Sequence, residues 1–341
     1  MKNRSIPIAI TTLALLVVGA GTSSATVFSL SESFGTVGTL PAPWVAAGSV
    51  VPEVVAGETE DIPVNALRLT NSDEGQRGFV LYDQAISISS GIDIIFSQAQ
   101  FGGDGGADGI AFFVKDAADV SIELGASGGS LGYSVDGDDT PGISGALIGV
   151  GLDGYGNFDE PSSDGTGCVA DAFVRYSGSN SITLRGPGQG AAGYCLLADS
   201  VGLVAAGLEP LTSGYSTRLA ATRLVRVVID PATLSAPKLT VYYGTSSATL
   251  TKVIEVPLPD VFATVASVKI GFAAGTGGST DYHDVWGLTT SAAPAATSPA
   301  ADPVLAATGP KQTGIIVSGL GALLLIGAGT GALTLRRRRN A

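Results

Sequence analysis

Between residues 223 and 243 apolar and polar residues trade places with a period of two. Arg223–Asp230 reads RLVRVVID, Lys238–Tyr243 reads KLTVYY, and a Pro-containing turn separates them. A half-buried antiparallel hairpin requires that alternation, because successive side chains of a strand point to opposite faces. The same period, or short β-branched and aromatic runs closed by Gly, predicts further strands at Phe79–Leu81, Ile92–Ala99, Gly109–Val114, Ala146–Leu152, Ser181–Arg185 and Ser267–Ala273. Neither an internal repeat nor a linker-like break divides residues 26–290. Many short strands with Gly-rich connections predict one all-β domain there, a two-sheet β-sandwich.

The two ends follow a different pattern. Lys2 and Arg4 precede an apolar stretch, Ile6–Ala20, and small residues follow through Ser23, Ser24 and Ala25. Positive, apolar and small in that order is the pattern of a secretory signal peptide, residues 1–25, cleaved after Ala25. Near the C-terminus the uncharged apolar segment Thr313–Leu335 exceeds the ~20 residues that span a bilayer. Arg336–Arg339 behind it predict that the basic tail, residues 336–341, stays in the cytoplasm. Everything between the two signals is then extracellular and meets the membrane only through the C-terminal transmembrane segment. Residues 291–304, rich in Ala, Pro, Ser and Thr, bury too little apolar surface to fold and predict an extended spacer.

Composition sharpens this picture in three places. The 48 glycines and the 14% of charged residues suit short strands and tight turns, and the terminal segments inflate a mean hydropathy of +0.37. Seven of the 18 basic residues (Lys2, Arg4, Lys311 and Arg336–Arg339) lie in those segments, so the rest of the chain carries 11 bases against 30 acids, a net charge near −19. So acidic a surface repels nucleic acid and suits neutral sugars or metal cations, or serves solubility alone. Cys168 and Cys195 are the only cysteines; in an exported chain they favour one disulfide, worth ~3 kcal/mol for a loop of this length, with two buried free thiols as the alternative. No His or further Cys stands at zinc-ligand spacing to either.

Four segments carry a resemblance. Ala107–Phe113 (ADGIAFF), Gly128–Tyr133 (GGSLGY), Val150–Asn157 (VGLDGYGN) and Gly271–Gly277 (GFAAGTG) up to His283–Val285 (HDV) resemble the L-type lectins, the legume lectins and their bacterial relatives, in the family's order. The resemblance implies a concanavalin-like jelly roll with a shallow carbohydrate site on its loops. It implies that Asp108 accepts bonds from two adjacent sugar hydroxyls, often after a cis peptide. Gly128 and Gly129 would bring a backbone N–H to the ligand, Asn157 an amide and Tyr155 a ring. The Gly277–Tyr282 loop, with Ser279, Thr280 and Asp281, matches the one that selects among sugars. Plain turn chemistry accounts equally for Asp108 and the glycines.

Asp153, Tyr155 and Asn157 have the spacing at which that family holds calcium, through a side chain, a backbone carbonyl and a side chain, and Glu160, before Pro161, stands for its second acid, with Asp159 and Asp164 nearby. The chain departs from the pattern at the neighbouring transition-metal site. Gly151 stands where the family carries a glutamate, and the histidine expected downstream is missing, so no transition metal is expected and calcium stays open. Leu305–Gly309 (LAATG) resembles the LAxTG variant of sortase sorting signals, found in high-GC Gram-positive bacteria. That implies cleavage between Thr308 and Gly309 and transfer of Thr308 to a peptidoglycan precursor, so that the chain spans the membrane before sortase acts and is wall-anchored afterwards.

Three functions compete at this stage. The first is a wall-anchored, non-catalytic lectin or adhesin that binds a carbohydrate or glycoconjugate. The second is a surface protein that uses the scaffold to bind protein or build the envelope; the third and least favoured is a glycoside hydrolase. No alternating acid pattern of the laminarinase-like kind is present, Asp136, Asp138 and Asp139 cluster as a turn or calcium loop, and the lone His283 lacks a Gly-x-Ser-x-Gly turn to serve. Trp44 and Trp286 suit a core as well as a contact surface.

Overall fold

Along Gly109–Asp116 the side chains divide by parity: Ile110, Phe112 and Val114 enter one buried cluster, Ala111 and Phe113 another. Both faces of this strand are covered, which is why it reads as a continuous apolar run. The structure, a computed structural model, describes residues 28–57, 64–137, 140–169, 178–200 and 202–294. The signal peptide, the spacer after Pro294, the sorting motif, the apolar segment and the basic tail lie outside the described residues, as do Asp138 and Asp139.

All strand pairs named below are antiparallel and build two sheets. From edge to edge the eight-stranded sheet runs Thr251–Pro257, Lys238–Gly244, Arg223–Ile229, Ile92–Phe101, Tyr282–Ser291, Ala66–Thr70 and Glu53–Val55, with Leu30–Glu32 also paired to Tyr282–Ser291. The nine-stranded sheet has as its centre Ala146–Asp153, Gly109–Asp116, Ser267–Gly275 and Arg77–Ser87, with Trp44–Gly48 at one edge. Ser181–Arg185 also pairs with Ala146–Asp153, and Leu196–Asp199 with Ser181–Arg185. The predicted sandwich is therefore present, and each strand expected from the sequence lies within or over an observed one.

The sheets enclose a core in which the Phe96 ring meets Phe272 edge-on at 4.9 Å and Phe112 at 5.6 Å. Trp44 is buried there against Phe34 and Tyr82, which settles it as a core residue. Loops cover the outer face of the nine-stranded sheet, and glycines make the room: a Cβ at Gly149 would overlap the Tyr133 ring, one at Gly151 the Phe158 ring and one at Gly271 the Phe113 ring. Each fully buried ring of this kind contributes roughly 1.5–3 kcal/mol, so the high glycine content serves packing as well as turns.

Register places the site. Gly109 is paired with Gly275 on one side and Asp153 on the other. The segments before Gly109, after Asp153 and after Gly275 therefore emerge side by side at one end of the sandwich.

Candidate functional site

Asp108 lies at that end, one residue before its strand, and the peptide joining it to Ala107 is cis. Its N–H donates to the Gly275 carbonyl at 3.0 Å, and its own carbonyl accepts from Gly154 at 2.9 Å and Tyr155 at 3.1 Å, so three chain segments are locked around one residue. The Asn157 side chain and the Gly277 N–H both reach the carboxylate and favour its charged form. Gly129 packs on Asn157 so closely that a Cβ there would lie 2.5 Å from Oδ1. Asp108, Gly129, Asn157 and Gly277, spread over 170 residues of chain, thus stand together.

Above them opens a cavity of about 270 Å³, lined by Gly128, Gly129, Asn157, Thr276 and Gly277 with Ser127 and Asp136 at its sides. Asp108 is 4% exposed, beneath the Gly277 backbone. Its Oδ2 and the Asn157 Oδ1 are buried acceptors with no hydrogen-bond partner. Burial pushes the Asp108 carboxyl up to about 6, against the Asn157 and Gly277 donors that hold it down.

The rest of the expected site falls elsewhere, and here the sequence expectation is corrected. Tyr155 is half exposed and, with Asp281, lines an adjoining cavity of about 410 Å³ among Gly103, Gly106, Asn180 and Thr212. Strand-like alternation would have put Tyr155 beside Asn157, but Gly156 turns the chain between them at φ 101°. Asp281 is buried and spent on structure, accepting from Thr212 Oγ1 at 2.6 Å and the Gly103 N–H at 3.0 Å. Ser279 sits against Gly105 on the same side. Gly277, whose backbone tops Asp108, is the member of the site that residue-type reasoning missed; its place in a segment already singled out was the only signal.

Of the four expected calcium ligands, Asp153 and Glu160 are the acids, and the first is buried while the second is exposed. Both oxygens of Asp153 face N–H donors, Oδ1 taking Gly156 at 2.7 Å and Oδ2 taking Phe158 at 2.6 Å. Tyr155 would contribute its backbone carbonyl; the Asn157 carboxamide faces Gly129 and Asp108, and the Glu160 side chain is exposed to solvent. Calcium takes six to eight oxygens, and among the described residues no three His, Cys, Asp or Glu gather to hold a metal. Burial pushes Asp153 up to about 7; its two N–H donors lower it, and the nearby Asp159 and Asp108 raise it further.

Two other expectations resolve plainly. Cys168 and Cys195 form a disulfide. His283 is fully buried, its Nδ1 2.6 Å from Thr70 Oγ1, and burial lowers it to about 3, so it stays neutral as a structural residue.

No protein-family model matches the chain, and no curated protein matches it. Solved structures do. The fold is similar to peanut lectin, solved with a nine-residue peptide, at a TM-score of 0.51 and 20% identity over 78% of this chain and 98% of that one. Basic winged bean lectin with Tn-antigen matches at 0.48 and 16% over 78% and 98%. The exoplasmic/lumenal domain of VIP36 in a Ca2+/Man2-bound form matches at 0.47 and 16% over 80% and 90%. The all-β sandwich expected from the sequence is thus of the legume-lectin jelly-roll type.

Proposed function

We propose that the sandwich is a carbohydrate-binding module, non-catalytic, whose ligand seats at the Asp108–Asn157 cavity. One observation carries this reading. Two acceptors from distant segments, Asp108 Oδ2 and Asn157 Oδ1, lie beneath a single rim cavity with their hydrogen-bonding capacity unmet. A buried acceptor without a donor costs ~1–3 kcal/mol, and a sugar ring offers adjacent hydroxyl donors at the spacing of a carboxylate and a neighbouring amide. The bare backbone at Gly277 stands against the carboxylate, so access needs a displacement of that segment. Hydrolysis would require two carboxylates free to face one glycosidic bond. Asp153, the acid that feels the Asp108 charge, has an N–H donor on each oxygen and no exposure.

The setting we propose is the outer surface of a thick-walled bacterium, with export by residues 1–25 and covalent attachment through Thr308 to peptidoglycan. The sequence of the two ends supports it. Replacing Thr308 by Ala should move the protein from the wall fraction to the membrane fraction.

The binding reading is tested by a glycan array probed with the 26–290 fragment and with its Asp108→Ala variant. Retention of neutral glycans by the first and not by the second is the expected result. Equal retention by both, or none by either at millimolar sugar, overturns it.

A further inference from the structure

The loop that presents Asn157 runs from Asp153 to Asp164, and two buried charged side chains hold it. Asp153 fixes the N–H groups on either side of Asn157, those of Gly156 and Phe158. Arg185, at the end of its strand and fully buried, fixes the carbonyls. Its Nε donates to Phe158 O at 2.6 Å, Nη2 to Glu160 O at 2.9 Å, and Nη1 to Asp164 Oδ1 at 2.7 Å and Tyr194 O at 2.7 Å. The guanidinium carbon lies 5.1 Å from the centre of the Phe158 ring, and that ring fills the space a side chain at position 151 would need. A planar cation with five fixed donors gathers oxygens from one loop much as a bound dication does, but its charge and geometry belong to the chain.

We infer that Arg185, with Asp153, replaces a divalent cation as the device that positions Asn157, so that this rim is organised without metal. A dication on Asp153 would have to use the lone pairs beside those that already accept the Gly156 and Phe158 N–H groups. Gly151 is then explained by the Phe158 ring and not by simple loss of a ligand. Where the inference touches ligand affinity it rests on the carbohydrate reading above; where it touches the loop it does not.

The test uses the full chain in detergent. Its melting temperature in EDTA and in millimolar CaCl2 or MnCl2 should agree within about 2 °C, and a larger rise with either metal overturns the inference. Hydrogen exchange gives a second reading that needs no variant. The Gly156 and Phe158 amides should be equally protected in EDTA and in calcium; protection appearing only with calcium overturns it. Arg185→Lys keeps the charge and loses the fork, and should expose the same two amides by at least tenfold with calcium unable to restore them. Unchanged protection in that variant also overturns the inference. Glycan binding equal in EDTA and calcium supports both readings, and binding only with calcium sinks this one alone. Protected amides with no glycan bound in either buffer sink the carbohydrate reading alone.

Discussion

Asp153 and Asp108 stand in adjoining segments of one rim, both are buried and burial raises both, yet the chain uses the two carboxylates in opposite ways. Asp153 meets two N–H donors from its own loop, one on each oxygen. Asp108 is tied down through its backbone, and one carboxylate oxygen is left without a donor. A saturated buried charge is architecture. An unsaturated one beneath a cavity is a demand for a partner, and the difference separates the two roles better than residue type or burial does.

The contrast can be broken at its strongest point first. Asp153→Ala strands two buried N–H groups and should cost about 3–5 kcal/mol of folding stability, read by urea unfolding; a loss under about 1 kcal/mol would make the two acids equivalent. Asp108→Ala should do the reverse, weakening glycan binding about 100-fold or more while the melting temperature moves by less than about 2 °C. Titration calorimetry beside a thermal scan checks both halves.

A pH series sharpens the comparison with a smaller effect. Because the folded value of Asp108 is about 6, above its unfolded value, the folded state keeps a proton that the unfolded chain has released between about pH 4 and 6. The stability this group contributes is therefore full below pH 4 and is lost as pH rises through 6. Binding needs the charged acceptor and runs the other way, falling about tenfold from pH 7 to pH 5. Affinity and stability that rise together across this window would remove Asp108 from the site. The smallest effect belongs to Gly129→Ala, whose Cβ would press on the Asn157 carboxamide. A several-fold loss of affinity with stability within about 1 kcal/mol is expected from calorimetry.

Legibility in the sequence followed chemistry. The hairpin Arg223–Ile229 with Lys238–Gly244 was plain because Val225, Val227, Leu239 and Val241 face the core while Arg226 and Tyr242 do not. The central strand Tyr282–Ser291 was not, although it pairs with three others. Its inward His283 and its Asp284, ion-paired to Arg68 and Arg218, look polar, and an irregularity between Trp286 and Thr289, where Gly287 turns at φ 61°, breaks the alternation. Within the site, Asp108, Gly129 and Asn157 could be named because the resemblance supplied their order. Arg185 could not, since a lone arginine ending SITLR says nothing of the two carbonyls and the carboxylate it gathers from a loop 21 to 27 residues away. Gly151 opposite Phe158 held the trace of it, as a traded volume.

The pairing of Leu30 with Thr290 sets the reach of the molecule. Tyr282 starts its strand beside Asp281, at the rim, and Ser291 ends it nine residues on, which at ~3.3 Å per residue is about 30 Å away. Both ends of the sandwich thus leave from the side opposite the pocket.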